Sequence, residues 1–213
     1  MTSTKSVGLR LNELLEEAGV EPLGEETASR FEAYLSLFVR WNGRVNLSSF
    51  RSEDEIICRH FVESISVARR LPEGIASLLD FGSGGGLPGI PIALCRPEIA
   101  VTLAESRGKR AAFLEEAVRV LEIQARVWGK RAETLREVFD CVILRAVDKM
   151  PKAVAAAERL VAPNGWLALM TTDSDAARLQ AAAGAQFSWA ELMRLPGSES
   201  RLLALGRKIS SAI

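Results

Sequence analysis

Apolar positions recur every three to four residues through the first third of the chain and gather into short runs beyond it, so two architectures are expected in succession. Residues 7–18 carry Leu9, Leu11, Leu14 and Leu15, and Phe31, Leu35, Phe38 and Val39 repeat the pattern in a second segment. Gly19 and Pro22 separate these two predicted helices, and the polar pair Asn42 and Gly43 ends the second. Ser52 with Glu55 three residues on resembles a capping box opening a third helix, which ends near Arg70. Residues 1–74 therefore read as a small helical cap.

From Ala76 onward, short apolar runs alternate with amphipathic segments, the signature of a parallel sheet built from βαβ units. The predicted strands are 77–81, 100–105, 124–128, 140–145 and 165–171. Between them lie predicted helices at 87–94, 109–121, 132–138 and 152–161. Segments 186–194 and 201–208 add antiparallel edge strands. Residues 75–213 are thus expected to form an α/β, Rossmann-like domain whose sheet is mostly parallel.

Composition narrows this picture without redirecting it. A chain of 213 residues with 48% hydrophobic and 25% charged positions fits one globular domain with an appendage and excludes a disordered or fibrous protein. Apolar stretches are broken by charge well short of the ~18 residues a membrane span needs, and residues 1–11 lack a signal-peptide hydrophobic region. A cytoplasmic location is expected. Cys58, Cys95 and Cys141 are odd in number, far apart and in no Cys-x-x-Cys arrangement, so they are expected to be reduced packing residues with no metal. Net charge is zero, and any polyanionic partner would have to meet a local basic surface.

The chemistry begins at Leu78-Leu79-Asp80-Phe81-Gly82-Ser83-Gly84-Gly85-Gly86-Leu87-Pro88-Gly89, an apolar strand followed by glycines and a helix start. Glycines serve where backbone must turn sharply and approach a ligand closely. Pro88 suits the first helical turn because it has no amide to leave unpaired. Gly84, Gly86 and Gly89 satisfy the dinucleotide spacing, so the pattern alone does not exclude NAD. The placement of Asp80 does: a carboxylate at the strand end, just before Gly82, repels a pyrophosphate but suits the amino-acid end of S-adenosylmethionine.

The second strand runs into Glu105, some 20 residues past the glycines, where an acid accepts both ribose hydroxyls. Arg131-Ala132-Glu133 follows the third strand and Arg145 ends the fourth, so both fall at the carboxyl edge of a parallel sheet, where ligands bind. Glu133 and Arg145 also read as an ordinary surface charge pair.

Several of these segments together resemble the RsmG (GidB) family, bacterial enzymes that methylate N7 of a guanine in small-subunit 16S ribosomal RNA. The resemblance runs from about Phe31 to Met170. It is carried by Trp41-Asn42-x-x-Val45-Asn46-Leu47, Arg59-His60-Phe61-x-Glu63-Ser64, the glycine loop through Pro91, Ser106-x-x-Lys109-Arg110-x-x-Phe113-Leu114, and Arg145-Ala146-Val147. It implies a class I methyltransferase fold, with S-adenosylmethionine as cofactor. It further implies that Gly82 and Leu87 line the cofactor pocket, that Ala132 and Glu133 flank the adenine, and that Arg145 lies near the methionine end. Glu105 takes the place of an acid that is usually aspartate. The chain departs from the family after the fifth strand, where Met170-Thr171-Thr172 replaces Leu-Lys-Gly and removes a lysine expected near the RNA entry face.

Guanine N7 already presents a lone pair, so methyl transfer to it needs no general base, and the absence of a triad or metal cluster in the sequence agrees with this. His60, the single histidine, is expected to link cap and sheet by a hydrogen bond rather than to catalyse. Phe31, Phe38, Trp41 and Phe61 sit at core spacing. Arg40, Arg44, Arg51, Arg59, Lys109 and Arg110, with Asn46 beside Arg44, are the candidates for an RNA face. The expected partner is small-subunit ribosomal RNA or a pre-assembled small subunit, met by a monomer away from membranes. The competing readings are a class I methyltransferase acting on a small molecule or protein, and a non-catalytic homologue that keeps the cofactor pocket.

Overall fold

The computed structural model describes residues 6–49 and 52–209. Its helices and strands follow the order α1 (Val7–Glu17), α2 (Glu25–Val45), α3 (Glu53–Ile56), α4 (Val62–Arg70), β1 (Ser77–Phe81), α5 (Gly89–Cys95), β2 (Ala100–Ala104), α6 (Gly108–Val120), β3 (Ala125–Trp128), β4 (Phe139–Arg145), α7 (Met150–Ala157), β5 (Val161–Thr172), α8 (Asp173–Ala183), β6 (Phe187–Trp189), β7 (Met193–Arg194) and β8 (Arg201–Lys208). The strands form one eight-stranded sheet in the order β3-β2-β1-β4-β5-β8-β6, with β7 also on β8. Strands β1 to β5 pair in parallel, and β6, β7 and β8 run antiparallel at the far edge. The order reverses between β1 and β4, which places the crevice for ligands above the carboxyl ends of those two strands.

The sheet is covered on both faces because its central strands are apolar on both. Leu78, Cys141 and Ile143 join a core with the N-terminal helices, α5 and α6, while Leu79, Val142 and Leu144 join a second core with α7 and α8. The first core is continuous across residue 74: Phe31, Phe38 and Phe61 are fully buried in the same cluster as Leu103 and Phe113. Trp41 packs half-buried against it. Cys58, Cys95 and Cys141 are free thiols. No helix among the described residues is long and apolar enough to cross a membrane.

Five elements differ from the sequence-based expectation. Helix α2 runs through Asn42 and Gly43 to Val45 and ends on Asn46 at φ 52. Asn42 is buried and its side chain accepts from the Ser48 amide at 2.8 Å, so it serves the helix end instead of breaking it. The third predicted helix begins at the expected Ser52–Glu55 capping box but carries a π-helical turn over Ile57–Phe61 before α4. Residues 132–138 form only a 3-10 turn, Ala132–Thr134, because Leu135 is buried while Val138 is half-exposed, and no helical face is sustained. Helix α5 starts one residue after Pro88, which occupies the N-cap rather than the first turn. Helix α8 was not anticipated; its Ala-rich stretch opens with Asp173 and Asp175, acids that suit a helix amino end.

Candidate active site

Beyond Phe81 the chain must reverse direction under a helix, and Gly82 does so at φ +79, where any Cβ would also stand 3.1 Å from Val147. The amides of Gly82 and Ser83 both donate to the Ala104 carbonyl at 3.0 Å, which fastens the loop to the end of β2. Two carboxylates hold it from either side. Glu105 accepts from the Gly84 amide at 3.0 Å and from the Arg107 amide at 2.7 Å. Asp80 accepts from the Gly89 amide at 3.0 Å through Oδ2. The hydroxyl of Tyr34, on α2, donates to the Gly85 carbonyl at 2.5 Å and ties the N-terminal helices to the same loop. Gly89 permits this packing, since a Cβ there would lie 2.6 Å from Asp80 Oδ2.

A cleft of about 350 Å³ opens above the ends of β1, β2 and β4. Gly82, Glu105, Ala132 and Glu133 all line it, so the structure brings together four of the positions picked out from sequence. Asp80, Gly84, Gly86, Leu87 and Arg145 do not. Asp80 lies beneath the loop, fully buried, with its Oδ1 unpartnered and its pKa pushed up to about 7, chiefly by burial. Gly84 reaches the cleft through Glu105. Gly86 and Leu87 face the core: a Cβ on Gly86 would stand 2.3 Å from Ile90, and Leu87 belongs to the first hydrophobic cluster. Glu133 pairs with Arg131 at 2.8 Å, which holds its carboxyl below the usual range.

Arg145 points the other way, into the join between sheet and N-terminal helices. Its guanidinium donates to the Arg59 carbonyl at 3.0 Å and to His60 Nδ1 at 2.8 Å, and lies 3.4 Å from Glu63. A guanidinium only donates, so Nδ1 is the acceptor and Nε2 carries the ring proton toward Ser48 Oγ at 2.8 Å. Burial, then the charges of Arg145 and Arg201, lower the His60 pKa to about 3 and keep the ring neutral. The expected link between cap and sheet through His60 is therefore present, with Arg145 as its partner.

Of the residues considered for nucleic acid, Arg44 and Lys109 are exposed. Arg110 donates to the Asn46 carbonyl at 2.7 Å and so joins two of these positions at the cleft edge. Arg59 is tethered to the Gly197 carbonyl at 2.6 Å, and Arg40 is paired with Glu116 at 2.5 Å. Arg51 lies outside the described residues. Sequence reasoning missed Tyr34 and also Arg107, Lys130, Lys149 and Lys152, which surround the cleft mouth. The signal for these cations was their place just past strands β2, β3 and β4. No group of three or more potential metal ligands occurs among the described residues.

The donor set fits S-adenosylmethionine. Glu105 offers lone pairs for a diol, Gly82 leaves the space a Cβ would take, and the cleft volume lies in the range of small-ligand sites. Comparison with known proteins agrees. The family model described as rRNA small subunit methyltransferase G, GidB, matches residues 27–201. A ribosomal RNA small subunit methyltransferase G from Xanthomonas axonopodis pv. citri is 43% identical over 140 residues, 64% of this chain and 65% of that protein, just under two thirds of its length. The protein of the same name from Chloroflexus aggregans is 35% identical over 205 residues, 89% of this chain and 85% of its own. Among solved structures, a predicted O-methyltransferase from Agrobacterium tumefaciens superposes with a TM-score of 0.57 at 21% identity, covering 70% of this chain and 81% of that one, a likeness of fold. A Rossmann-like sheet with an antiparallel edge, a glycine loop braced by Glu105 and Asp80, and a family match over most of its length place this chain in the GidB family, rRNA small subunit methyltransferase G.

Proposed function

We propose that this protein transfers the methyl group of S-adenosylmethionine to N7 of a guanine in small-subunit ribosomal RNA. The observation that carries the reading is Glu105, buried at the end of β2 with both oxygens anchored to loop amides and its free lone pairs toward the cleft. In this reading Glu105 takes the ribose hydroxyls, Gly82 and the loop amides take the amino-acid end above Asp80, and Ala132 with Glu133 flanks the adenine. Residues 75–213 act as the cofactor-binding domain, and residues 1–74 act as a cap that fixes the glycine loop through Tyr34. The cofactor supplies an electrophilic methyl on a sulfonium. With that group bound, an N7 lone pair would take the methyl as the carbon–sulfur bond broke, and no residue would have to move a proton. The protein's own part is to orient and to exclude water, effects worth up to about 7–11 kcal/mol in model systems. A neutral His60 committed to Arg145 agrees with chemistry that needs no general base.

An electroneutral chain must meet a polyanion through local charge. Arg110, on the cleft wall, holds the Asn46 carbonyl; exposed Lys109 precedes it in the chain and exposed Arg44 lies two residues before Asn46, while Lys130, Lys149 and Lys152 also line the cleft. The test is transfer of labelled methyl to small-subunit RNA and to assembled small subunits, with the product mapped as N7-methylguanosine. Labelling of a small molecule or protein in preference to RNA supports the competing reading, and cofactor binding without turnover supports a non-catalytic homologue. Replacement Glu105→Ala is expected to weaken cofactor binding by about 1.5–3 kcal/mol, because two hydroxyls lose a charged acceptor. Calorimetry with S-adenosylhomocysteine measures it, and an unchanged Kd removes Glu105 from the site.

A further inference from the structure

A second cavity of about 380 Å³ opens beside the cofactor cleft, over the carboxyl ends of β4 and β5. The two spaces share Ala146, the first residue past β4, where the backbone is left-handed at φ 49. Met150, Met170, Leu179 and Leu195 give the second cavity apolar walls. On one side its carboxylate is already paired: fully buried Glu63 lies 3.4 Å from Arg145 and 2.9 Å from Arg201. Asp175 is different. It stands half-buried in the first turn of α8 and pairs only superficially, with exposed Arg178 at 2.7 Å.

We infer that this cavity receives the acceptor base and that Asp175 reads the Watson–Crick edge of that base. The inference rests on the proposed function. A planar base between apolar walls meets the cofactor cleft only across Ala146, so its reacting edge must lie there. In guanine that edge carries N7, and the opposite edge carries the N1–H and N2–H₂ donors. With N7 at Ala146, these donors point away from β4 toward the elements next along the sheet, β5 and α8, where Asp175 lies. One carboxylate accepts from both. Adenine presents an unprotonated N1 and a bare C2–H there, which a carboxylate disfavours. The cavity therefore selects the base, while the cleft supplies the methyl.

Three proteins decide this: the parent, Asp175→Asn, and Thr172→Trp, whose indole fills the cavity mouth from the end of β5. Each is assayed for single-turnover methyl transfer to small-subunit RNA with guanine or inosine at the acceptor position, alongside cofactor affinity. Inosine lacks only the N2 amine. Thr172→Trp is expected to lose transfer by about two orders of magnitude or more, with cofactor Kd held within about twofold. Asp175→Asn is expected to lose roughly 10- to 100-fold on guanine and to stop distinguishing guanine from inosine, since one acceptor has gone. An Asp175→Asn protein that keeps the parent's rate and preference overturns the inference, whatever the tryptophan variant does. A parent that transfers no methyl to RNA overturns the proposed function, and this assignment with it.

Discussion

Arg145→Met is expected to destabilise the fold by about 3–5 kcal/mol, read as a lower denaturant midpoint at unchanged m-value. The methionine keeps most of the stem packing but removes the donors that satisfy the Arg59 carbonyl and His60 Nδ1. It also leaves Glu63, which is fully buried, with Arg201 as its counter-charge. Burial already pushes the Glu63 carboxyl above its usual range, and the Arg145 charge, more than those of Arg201 and Arg59, opposes this. The double variant Glu63→Gln/Arg145→Met is expected to recover at least half of the loss, because a neutral amide tolerates burial better than a carboxylate that has lost one of its two counter-charges. A single variant within about 1 kcal/mol of the parent contradicts this account, since breaking a buried pair costs more.

Asp80 is expected to make the protein less stable as pH rises from about 4 to about 7. Burial is the main cause of its raised pKa; the Gly89 amide, Ser83 and Arg145 act against the shift, and Glu105 reinforces it. Its pKa goes from 3.8 to about 7 on folding, so the native state holds a proton that the unfolded chain has released in that window. Stability contributed by the protonated form is therefore fully present below pH 4 and lost as pH passes 7. The shift corresponds to at most about 4 kcal/mol. His60 works in the opposite direction, since its lowered pKa costs stability as pH falls from 6.5 to about 3. Comparison with Asp80→Asn isolates the Asp80 contribution: the amide keeps an oxygen for Gly89 and does not titrate. The parent's stability minus that of the variant should decline between pH 4 and 8, and a flat difference would show that Asp80 ionises in the native state as it does in water.

Much of the sheet was legible because a buried parallel strand must be apolar on both faces. That requirement alone located Ser77–Phe81 to the residue and the other parallel strands to within a few. The cofactor loop was legible for a related reason: left-handed turns at Gly82, Gly84 and Gly86 confine those positions to glycine. Glu105, which lines the cleft, was singled out by its place just past an apolar strand. Helix α8 was not found, since its alanines carry little periodic contrast, and the overrun of α2 past Gly43 was missed because the compensation comes from buried Asn42. What no local pattern could decide was direction. Arg145 and Glu105 both follow apolar strands, yet Glu105 turns into the cleft and Arg145 turns toward Glu63 and His60, 82 and 85 residues away in sequence. Tyr34 reached the glycine loop, and Asp175 and the cations at the cleft mouth reached their cavities, only once distant segments were packed together. The sequence by itself determined the strands, the glycine loop and the family, because backbone sterics and burial act residue by residue. Which charged groups face ligand and which brace the core was decided by the tertiary structure, because a buried charge is stable only beside a partner that folding supplies.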